Sequence, residues 1–474
     1  MDEDPEDVPL TGSPTARMGT EILAIPLVGM VFLTLSPAVG LAETNWRIGL
    51  STVRITPQEP LPMCGYGPSV SAGVLDDLYA KAMVLEDAAG SRAVLLTADL
   101  LFFRAPLAEV ICGKIMKRTG LRREQILLNA SHTHAGPVFG VKDPGRFDLP
   151  EDQQRRVREY TERLTKKIVH LVPAAIADLI PGRISWSTGE VDFVMNRRLI
   201  TPEGKCRGMG PNPVGSVDRS VPVLRIDWPD GRLRAVVFGC ACHPVTLDGT
   251  NRKISGDYAG AAQRYLEARH HGVQAMFMIG CGGDANSHPR SGPEQEAWVS
   301  RHGEVLGKEV SRVLHDELQR IRGPFQAKLT TVDLPLEHAF TRQQLEEMAG
   351  GGQTYWHKEN ARGMLDILDR HEPLPKSYRS SIAMWRFGDD LTLVGLPGEA
   401  VADYVPMIRE ALGPTGLWIA AYCNESFGYL PTAEILKQGG HESMGLTLAI
   451  GLFSPDVEET VIASVRKLAE KKRP

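Results

Sequence analysis

The amino-acid sequence predicts a mixed α/β fold in which layered sheets are flanked by helices and the active site lies at the strand ends. Short apolar runs alternate with amphipathic helical patterns from residue 47 onward, which is typical of sheets covered by helices. Polar residues follow directly after several of these runs, at the positions where α/β sheets bind ligands. The composition, 42% hydrophobic and 23% charged over 474 residues, is that of an ordinary globular protein with an extensive core.

The individual elements are predicted from the local spacing of apolar residues and from the residues that bound each run. Short apolar runs bounded by glycine, proline or polar clusters predict strands over residues 93–98, 125–130, 221–228, 233–242, 275–280, 391–396 and 417–422. Apolar residues at helical spacing predict helices over residues 106–119, 150–171, 259–270 and 457–471. The tripeptide Pro229-Asp230-Gly231 predicts a hairpin turn between two of the strands.

One segment interrupts this alternation. Residues 340–375 are polar and helix-prone, and Gly350-Gly351-Gly352 breaks them near the middle. We therefore expect a helical insertion at this point. Residues 43–474 are expected to form one large domain that contains the insertion.

Residues 1–42 are expected to be a signal peptide or an N-terminal anchor. Residues 22–35 are apolar, and Gly40-Leu41-Ala42 has the small-x-small pattern at which signal peptides are cleaved. Cleavage after this motif would make the protein secreted or periplasmic. A membrane anchor is the alternative, although Pro26 and Pro37 are ill-suited to a continuous spanning helix of ~20 residues.

The net charge of −5 at pH 7 arises entirely within this N-terminal segment. The remaining chain has equal numbers of acidic and basic residues and carries no basic stripe that could track phosphate groups. Nucleic acid is therefore not an expected partner.

The motif His132-Thr133-His134 follows the predicted strand over residues 125–130. Because side chains alternate along an extended chain, the two histidines are expected to point to the same side. Paired imidazoles at a strand end are suited to holding a metal or moving a proton. On the motif alone, one core histidine and one loop histidine are the favoured interpretation, so the rest of the chain must decide.

Further polar residues follow other predicted strands, and they share this placement: His243, Asp284, Glu399 and Tyr429. Each has a structural alternative, such as a core histidine, a turn aspartate, a helix-capping glutamate or a core tyrosine. Together the imidazole, carboxylate and phenol groups form a nitrogen and oxygen donor set that suits Zn²⁺ with one coordination position left open.

Several motifs occur in the order found in one known family: Ile55-Thr56-Pro57, Cys64-Gly65-Tyr66-Gly67, Asp76-Asp77-Leu78-Tyr79-Ala80-Lys81-Ala82, Ala98-Asp99-Leu100, His132-Thr133-His134-Ala135-Gly136-Pro137, Asn196-Arg197-Arg198, His243-Pro244, Ser255-Gly256-Asp257-Tyr258, Gly283-Asp284, Pro397-Gly398-Glu399 and Gly428-Tyr429. On these motifs, residues 48–443 resemble the neutral/alkaline non-lysosomal ceramidases, zinc enzymes that cut the amide bond of ceramide. The resemblance implies a ceramidase-like zinc hydrolase domain.

The resemblance also implies roles for individual residues. The family's zinc ligands correspond to His132, His243, Glu399 and Tyr429. The family's proton-handling histidine corresponds to His134, and its substrate-pocket arginine corresponds to Arg197. His441 stands where a family tyrosine assists the substrate carbonyl.

The chain departs from the family at the nucleophile. Ceramidases read Gly-Asp-x-Ser-Pro at this turn, whereas this chain has Asn286 at the serine position and Ser287 one residue later. A water molecule activated at the zinc is then the favoured nucleophile, with Asn286 orienting it or donating to the oxyanion. A shift of the loop that presents Ser287 is the alternative. Asp284 and Ser287 are both expected to contact substrate.

The sequence ends at Pro474, where family members continue into an immunoglobulin-like C-terminal domain that completes the substrate groove. We therefore expect a zinc-dependent hydrolase of an N-acyl amide, either ceramide or a smaller N-acyl compound, with peripheral membrane contact as a further expectation. The alternative is an exported zinc- and lipid-binding protein that has lost catalysis. The motifs do not indicate the oligomeric state.

Overall fold

Two β-sheets that share a hydrophobic core form the centre of the molecule in the computed structural model. The structure describes residues 45–67, 69–140, 149–351, 355–413, 416–446 and 450–470. The expected signal peptide or anchor, residues 1–42, lies outside the described residues. No helix in the described ranges combines the length and the apolar character needed to cross a membrane.

The first half of the strands, numbered in chain order, are β1 (Trp46–Arg54), β2 (Gly73–Val74), β3 (Tyr79–Asp87), β4 (Arg92–Ala98), β5 (Ile126–Ala130), β6 (Ile180–Glu190), β7 (Val194–Ile200), β8 (Cys206–Asn212), β9 (Ser220–Asp227), β10 (Leu233–Cys240) and β11 (Lys253–Ile254). The second half are β12 (Gln274–Ile279), β13 (Ala285–Ser287), β14 (Gln319–Ile321), β15 (Phe325–Glu337), β16 (Ser377–Phe387), β17 (Leu391–Gly395), β18 (Glu399–Ala400), β19 (Leu417–Ala420), β20 (Tyr429–Leu430) and β21 (Leu452–Phe453).

The helices are α1 (Ala105–Thr119), α2 (Glu151–Ala177), α3 (Asp257–Arg269), α4 (Gln295–His315), α5 (Arg342–Gly350), α6 (Tyr355–Asp369), α7 (Tyr404–Leu412), α8 (Ala433–Gln438) and α9 (Val457–Ala469). Helix α2 extends past the predicted end at Leu171 and includes Pro173. Val172 and Ala175 are fully buried, so packing of the last turns outweighs the hydrogen bond that the proline removes.

The larger sheet has the order β12-β10-β9-β6-β1-β3-β4-β5, with β14 paired to β6. The pairs β10–β12 and β4–β5 are parallel, and the predicted hairpin is present as the antiparallel pair β9–β10. The second large sheet has the order β19-β17-β16-β15-β21, with β17 and β19 parallel. The smaller groups are β13-β7-β8, β18-β20 and β2-β11.

Side chains alternate between the two faces of each strand, which explains why the larger sheet has a separate core on each face. In β4, Val94 and Leu96 join a core that includes residues of α1 and α2, whereas Leu95 points to the other face. That other face belongs to the core between the two large sheets, which also contains Trp385 and Trp418 of the second sheet. The mixed α/β class with layered sheets, predicted from the sequence, is confirmed.

Helices α5 and α6 fall within residues 340–375, where an insertion is predicted. Thr341 caps α5 by accepting a hydrogen bond from the Gln344 backbone, and the Gln344 side chain bonds back to Thr341. The two helices share a small separate core around Leu345 and Met364. The division of the chain into a segment 1–42 and a single domain 43–474 stays a prediction.

Candidate active site

His132 and His134 meet at the end of β5, although not through strand alternation. The strand ends at Ala130, and His132 lies in the left-handed region with φ 66°. This turn brings the Nε2 atoms of the two imidazoles to 3.2 Å from each other. The His132 Nδ1 atom lies 2.7 Å from the carbonyl oxygen of Leu101, which fixes the ring and leaves its Nε2 facing the other histidines.

His243 follows β10 and is fully buried. Its Nδ1 atom lies 2.6 Å from the carbonyl oxygen of Gly282, and its Nε2 lies 3.0 Å from Oε2 of Glu399. The same carboxylate oxygen lies 3.3 Å from Nε2 of His132. Ligands of a tetrahedral zinc at ~2.0–2.1 Å lie ~3.3 Å from one another, so these separations fit the edges of such a site.

Glu399 and Tyr429 are direct register partners in the parallel pair β18–β20. Gly398, with φ 66°, makes the turn into β18, and a Cβ atom there would meet the Gly428 carbonyl oxygen at 2.9 Å. The Tyr429 ring lies nearly parallel to the His243 ring, with centroids 6.4 Å apart. The phenol is therefore held beside the imidazoles and the carboxylate.

The side chains present suit a divalent metal of the zinc type. One ring nitrogen from each of His132, His134 and His243 lies within 4.8 Å of the others. The Glu399 carboxylate places a ligand oxygen beside two of these rings, those of His132 and His243. Only two of the rings have their Nδ1 atoms on backbone carbonyls, as metal-bound histidines usually do. The Nδ1 atom of His134 is buried and has no hydrogen-bond partner among the described residues. His134 is thus the least anchored of the three, and Tyr429 is an alternative fourth donor.

Burial sets the charges of this cluster. It lowers the pKa of His243 to about 3, and together with the neighbouring imidazoles it lowers the pKa of His134 well below its usual range. Burial alone would raise the pKa of Glu399, but His132 and His243 hold that pKa well below its usual range. At neutral pH His134 and His243 are therefore neutral and Glu399 is ionised, which are the forms that bind metal.

Arg197 joins the metal cluster to the neighbouring loops. Its Nη2 donates to the Tyr429 hydroxyl at 3.0 Å and to the Gly283 carbonyl at 2.7 Å, and its Nη1 donates to Oδ1 of Asn286 at 3.1 Å. Its Nε donates to Glu442 at 2.8 Å, and Arg198 donates to the other oxygen of the same carboxylate. Burial would raise the pKa of Glu442, but the two guanidinium groups lower it to about 2.

Asn286 and Ser287 occupy successive positions in β13, so their side chains leave the strand on opposite sides. Asn286 meets Arg197, whereas the hydroxyl of the fully buried Ser287 lies 2.9 Å from that of Thr246. Asp284, also buried, accepts hydrogen bonds from the Ala402 backbone and the Asn196 side chain. Burial raises the pKa of Asp284 to about 7.

A cavity of about 470 Å³ opens beside this cluster, a size typical of small-molecule sites. Its lining includes six of the predicted site residues, namely His134, Arg197, Asn286, Ser287, Tyr429 and His441. Burial and the Arg197 charge lower the pKa of His441 to about 4, so this imidazole is neutral at pH 7. Asp284, His132, His243 and Glu399 are not among the lining residues and lie deeper.

Sequence reasoning missed three residues of the site. Glu442 follows a predicted site histidine directly, but its ion pairs with Arg197 and Arg198 join distant parts of the chain and leave no local signal. Tyr66 belongs to a glycine-rich turn used only as a family motif, yet its ring lies 5.1 Å from that of His134. Arg290 lines the cavity without any sequence motif that marks it.

Residues 46–317 match the family model described as neutral/alkaline non-lysosomal ceramidase, N-terminal. The chain is 24% identical over 249 residues to neutral ceramidase A of Dictyostelium discoideum, covering 50% of this chain and 33% of the relative. It is 24% identical over 255 residues to the neutral ceramidase of Drosophila melanogaster, covering 51% of this chain and 35% of the relative. The match spans about a third of the length of these curated relatives.

The fold is similar to that of the neutral ceramidase from Pseudomonas aeruginosa. The TM-score is 0.69 at 21% sequence identity, and the likeness covers 90% of this chain and 74% of that chain. A second structure, described as ceramidase complexed with C2, has the same TM-score at 19% identity. The structural likeness therefore extends well past the residues that the family model matches.

Proposed function

Because the chain belongs to the neutral/alkaline non-lysosomal ceramidase family, we propose that it is a zinc-dependent hydrolase that cleaves the amide bond of ceramide or a related N-acyl compound. The observation that carries the proposal is the shared Oε2 atom of Glu399, which lies 3.0 Å from His243 Nε2 and 3.3 Å from His132 Nε2 beside an open cavity. His132, His243, Glu399 and Tyr429 would hold the zinc.

Zinc, when bound, supplies a Lewis acid that polarises the amide carbonyl. His134 would take a proton from the attacking water and return it to the leaving amine, because its ring lines the cavity and is neutral at pH 7. Its unpartnered Nδ1 supports a role as a proton carrier rather than a fixed ligand. The products would be a carboxylic acid and a free amine.

Arg197 and His441 would stabilise the negative charge that develops on the carbonyl oxygen. Both line the cavity, and the four hydrogen bonds of Arg197 to the surrounding loops hold its guanidinium in place before substrate arrives. Preorganised donors of this kind need no rearrangement during the reaction.

We propose water as the nucleophile. Asn286 has no hydroxyl, and the hydroxyl of Ser287 is bonded to Thr246 in a fully buried position. The Asn286 carbonyl accepts from Arg197, while its amide nitrogen has no hydrogen-bond partner within the described part of the chain. That amide group would orient the water or donate to the oxyanion.

A substrate panel tests the proposed activity. Zinc-loaded protein is incubated with a ceramide, a short N-acyl amino sugar and short N-acyl amines, and the released fatty acid is quantified. Release that disappears in the His134→Ala variant supports a hydrolase. Tight binding of these compounds with no release from any of them would favour the alternative, an exported zinc- and lipid-binding protein without catalysis.

Export is proposed from the apolar residues 22–35 and the Gly40-Leu41-Ala42 motif. A secreted or periplasmic protein cleaved there would begin at Glu43, which N-terminal sequencing of the mature protein detects. A mature protein that retains the apolar segment would instead support the anchor. Peripheral membrane contact remains a prediction that follows from a lipid substrate.

A further inference from the structure

Arg290 is a cation on the wall of the cavity that the proposed mechanism does not use. Its Nε donates to the Val245 carbonyl at 2.6 Å, and its Nη2 donates to the Tyr66 hydroxyl at 3.0 Å. These bonds use two of the five N–H donors of the guanidinium and restrict its position. Arg290 is therefore a held donor group rather than a freely moving surface side chain.

No carboxylate forms an ion pair with Arg290 in the described ranges of the chain. The charge of Arg290 helps to lower the pKa of Asp248, but the oxygens of that carboxylate accept hydrogen bonds from the Thr250 backbone and hydroxyl and from the Gly292 backbone. Arg197, the other cavity arginine, by contrast forms an ion pair with Glu442. A guanidinium without a carboxylate partner beside a ligand cavity is suited to binding an oxyanion.

Tyr66 relates Arg290 to the reacting centre. The Tyr66 hydroxyl accepts from Arg290 and donates to the Leu247 carbonyl at 3.0 Å, while its ring packs against that of His134. Tyr66 thus contacts Arg290 through its hydroxyl and, through its ring, the histidine that would protonate the leaving amine. An oxyanion on Arg290 would therefore lie on the amine side of the scissile bond, a few bonds from the nitrogen.

We propose that Arg290 and Tyr66 form an anion subsite, and that the preferred substrates are N-acyl amines carrying an oxyanion close to the nitrogen, such as N-acyl amino acids. The inference rests on the proposed amide hydrolase function. Hydrolysis of such a substrate breaks the C–N bond, joins the water oxygen to the acyl carbon and leaves a proton on the amino acid nitrogen. Met195, Met209 and Pro211 line the same cavity and supply apolar surface for the acyl chain.

Binding of unreactive analogues tests the subsite independently of catalysis. Two ketomethylene isosteres of an N-lauroyl compound are compared by calorimetry on the zinc-loaded protein, one ending in a carboxylate and the other in a primary alcohol. Because charge-assisted hydrogen bonds are stronger than neutral ones, we expect the carboxylate isostere to bind at least about tenfold more tightly than the alcohol isostere. Arg290→Gln is expected to abolish this preference, and Arg290→Lys to retain part of it.

Arg207→Gln is the matched control, because it removes the same charge from an exposed position on β8 outside the cavity lining. Its preference for the carboxylate is expected to equal that of the parent. Equal affinities of the parent for the two isosteres, or an unchanged preference in Arg290→Gln, would overturn the subsite. A phosphate-ended isostere that binds more tightly than the carboxylate would overturn the assignment to amino acids.

Turnover separates this inference from the proposed function. The parent should hydrolyse N-lauroylglycine with a kcat/KM at least about tenfold above that for N-lauroylethanolamine. Absence of hydrolysis for every N-acyl compound would refute the proposed function while the binding preference still decides the subsite. Hydrolysis of both compounds with equal kcat/KM would refute the subsite alone.

Discussion

Arg197 donates a hydrogen bond of 3.1 Å to the side-chain oxygen of Asn286, the residue expected from the sequence to take the place of the family's serine. The contact occupies the amide oxygen and leaves the amide nitrogen as a donor. Replacement by aspartate would keep the shape and the contact to Arg197 but remove that donor. Asn286 is therefore the position at which the proposed nucleophile is most open to test.

Asn286→Asp is expected to lower kcat by roughly 100-fold with a smaller change in KM, because one donor to the reacting oxygen is lost. The measurement is steady-state hydrolysis of an N-acyl amide by parent and variant. In the parent, product release should be linear from the first turnover, without a burst. A pre-steady-state burst or trapping of an acyl group by hydroxylamine would contradict attack by water and favour Ser287.

The zinc content of purified variants should distinguish the metal ligands from the proton carrier. His243→Ala and Glu399→Ala are expected to purify without zinc, whereas His134→Ala should keep its zinc and lose about 10²–10⁴-fold in kcat. The metal content is measured by inductively coupled plasma mass spectrometry after dialysis. Loss of zinc from His134→Ala would instead make all three imidazoles ligands, and unchanged zinc in the other two variants would refute the ligand assignment.

Glu442 should be required both for stable folding and for positioning Arg197 and Arg198. It is fully buried between two guanidinium groups, so Glu442→Gln would leave uncompensated buried charge and lower the free energy of unfolding by about 3–5 kcal/mol. Urea denaturation measures this change, with Glu203→Gln, an exposed carboxylate, as the control. A loss no larger than that of the control would mean that the two arginines are held without this carboxylate.

The pH dependence of stability should carry the signature of Asp257, a buried carboxyl group whose pKa burial raises to about 6. Between pH 4 and pH 6 the folded protein keeps this proton while the unfolded chain has lost it, so the contribution to stability falls as pH rises. From the usual aspartate pKa of 3.8 the total loss is about 3 kcal/mol and is nearly complete at pH 7.

Comparison of the parent with Asp257→Asn isolates this effect. The free energy of unfolding of the variant minus that of the parent should increase by about 2.4 kcal/mol between pH 4 and pH 7, as measured by urea denaturation. Asp192→Asn, which changes an exposed carboxylate, should give a nearly constant difference. A constant difference for Asp257→Asn would show that this carboxyl group ionises alike in the folded and unfolded states.

Local pattern predicted most of the fold, because strands and helices of a layered α/β protein have distinct periods. The strand over residues 125–130 and the helix over 106–119 agree with β5 and α1 to within a residue or so. The long helix ended early in the prediction, since Pro173 counts against a helix locally, whereas the burial of Val172 and Ala175 in the folded core is a tertiary effect.

The site was less predictable, because its geometry depends on turns and on distant contacts. His132 and His134 do converge, but a left-handed residue brings them together, and side-chain alternation does not describe such a turn. Arg290 lines the cavity and Glu442 contacts Arg197 from segments separated by about 150 residues, so no local spacing relates them. A single sequence contains no signal for such pairs.

The most direct test of the central claim is a zinc titration of the metal-stripped full chain. Bound zinc and fatty acid released from an N-acyl amide are measured on the same samples. Bound zinc and released fatty acid are expected to rise together and to saturate at one zinc per chain, and a chelator is expected to reverse both. Hydrolysis that persists in the stripped protein, or a folded protein that binds no zinc, would contradict it.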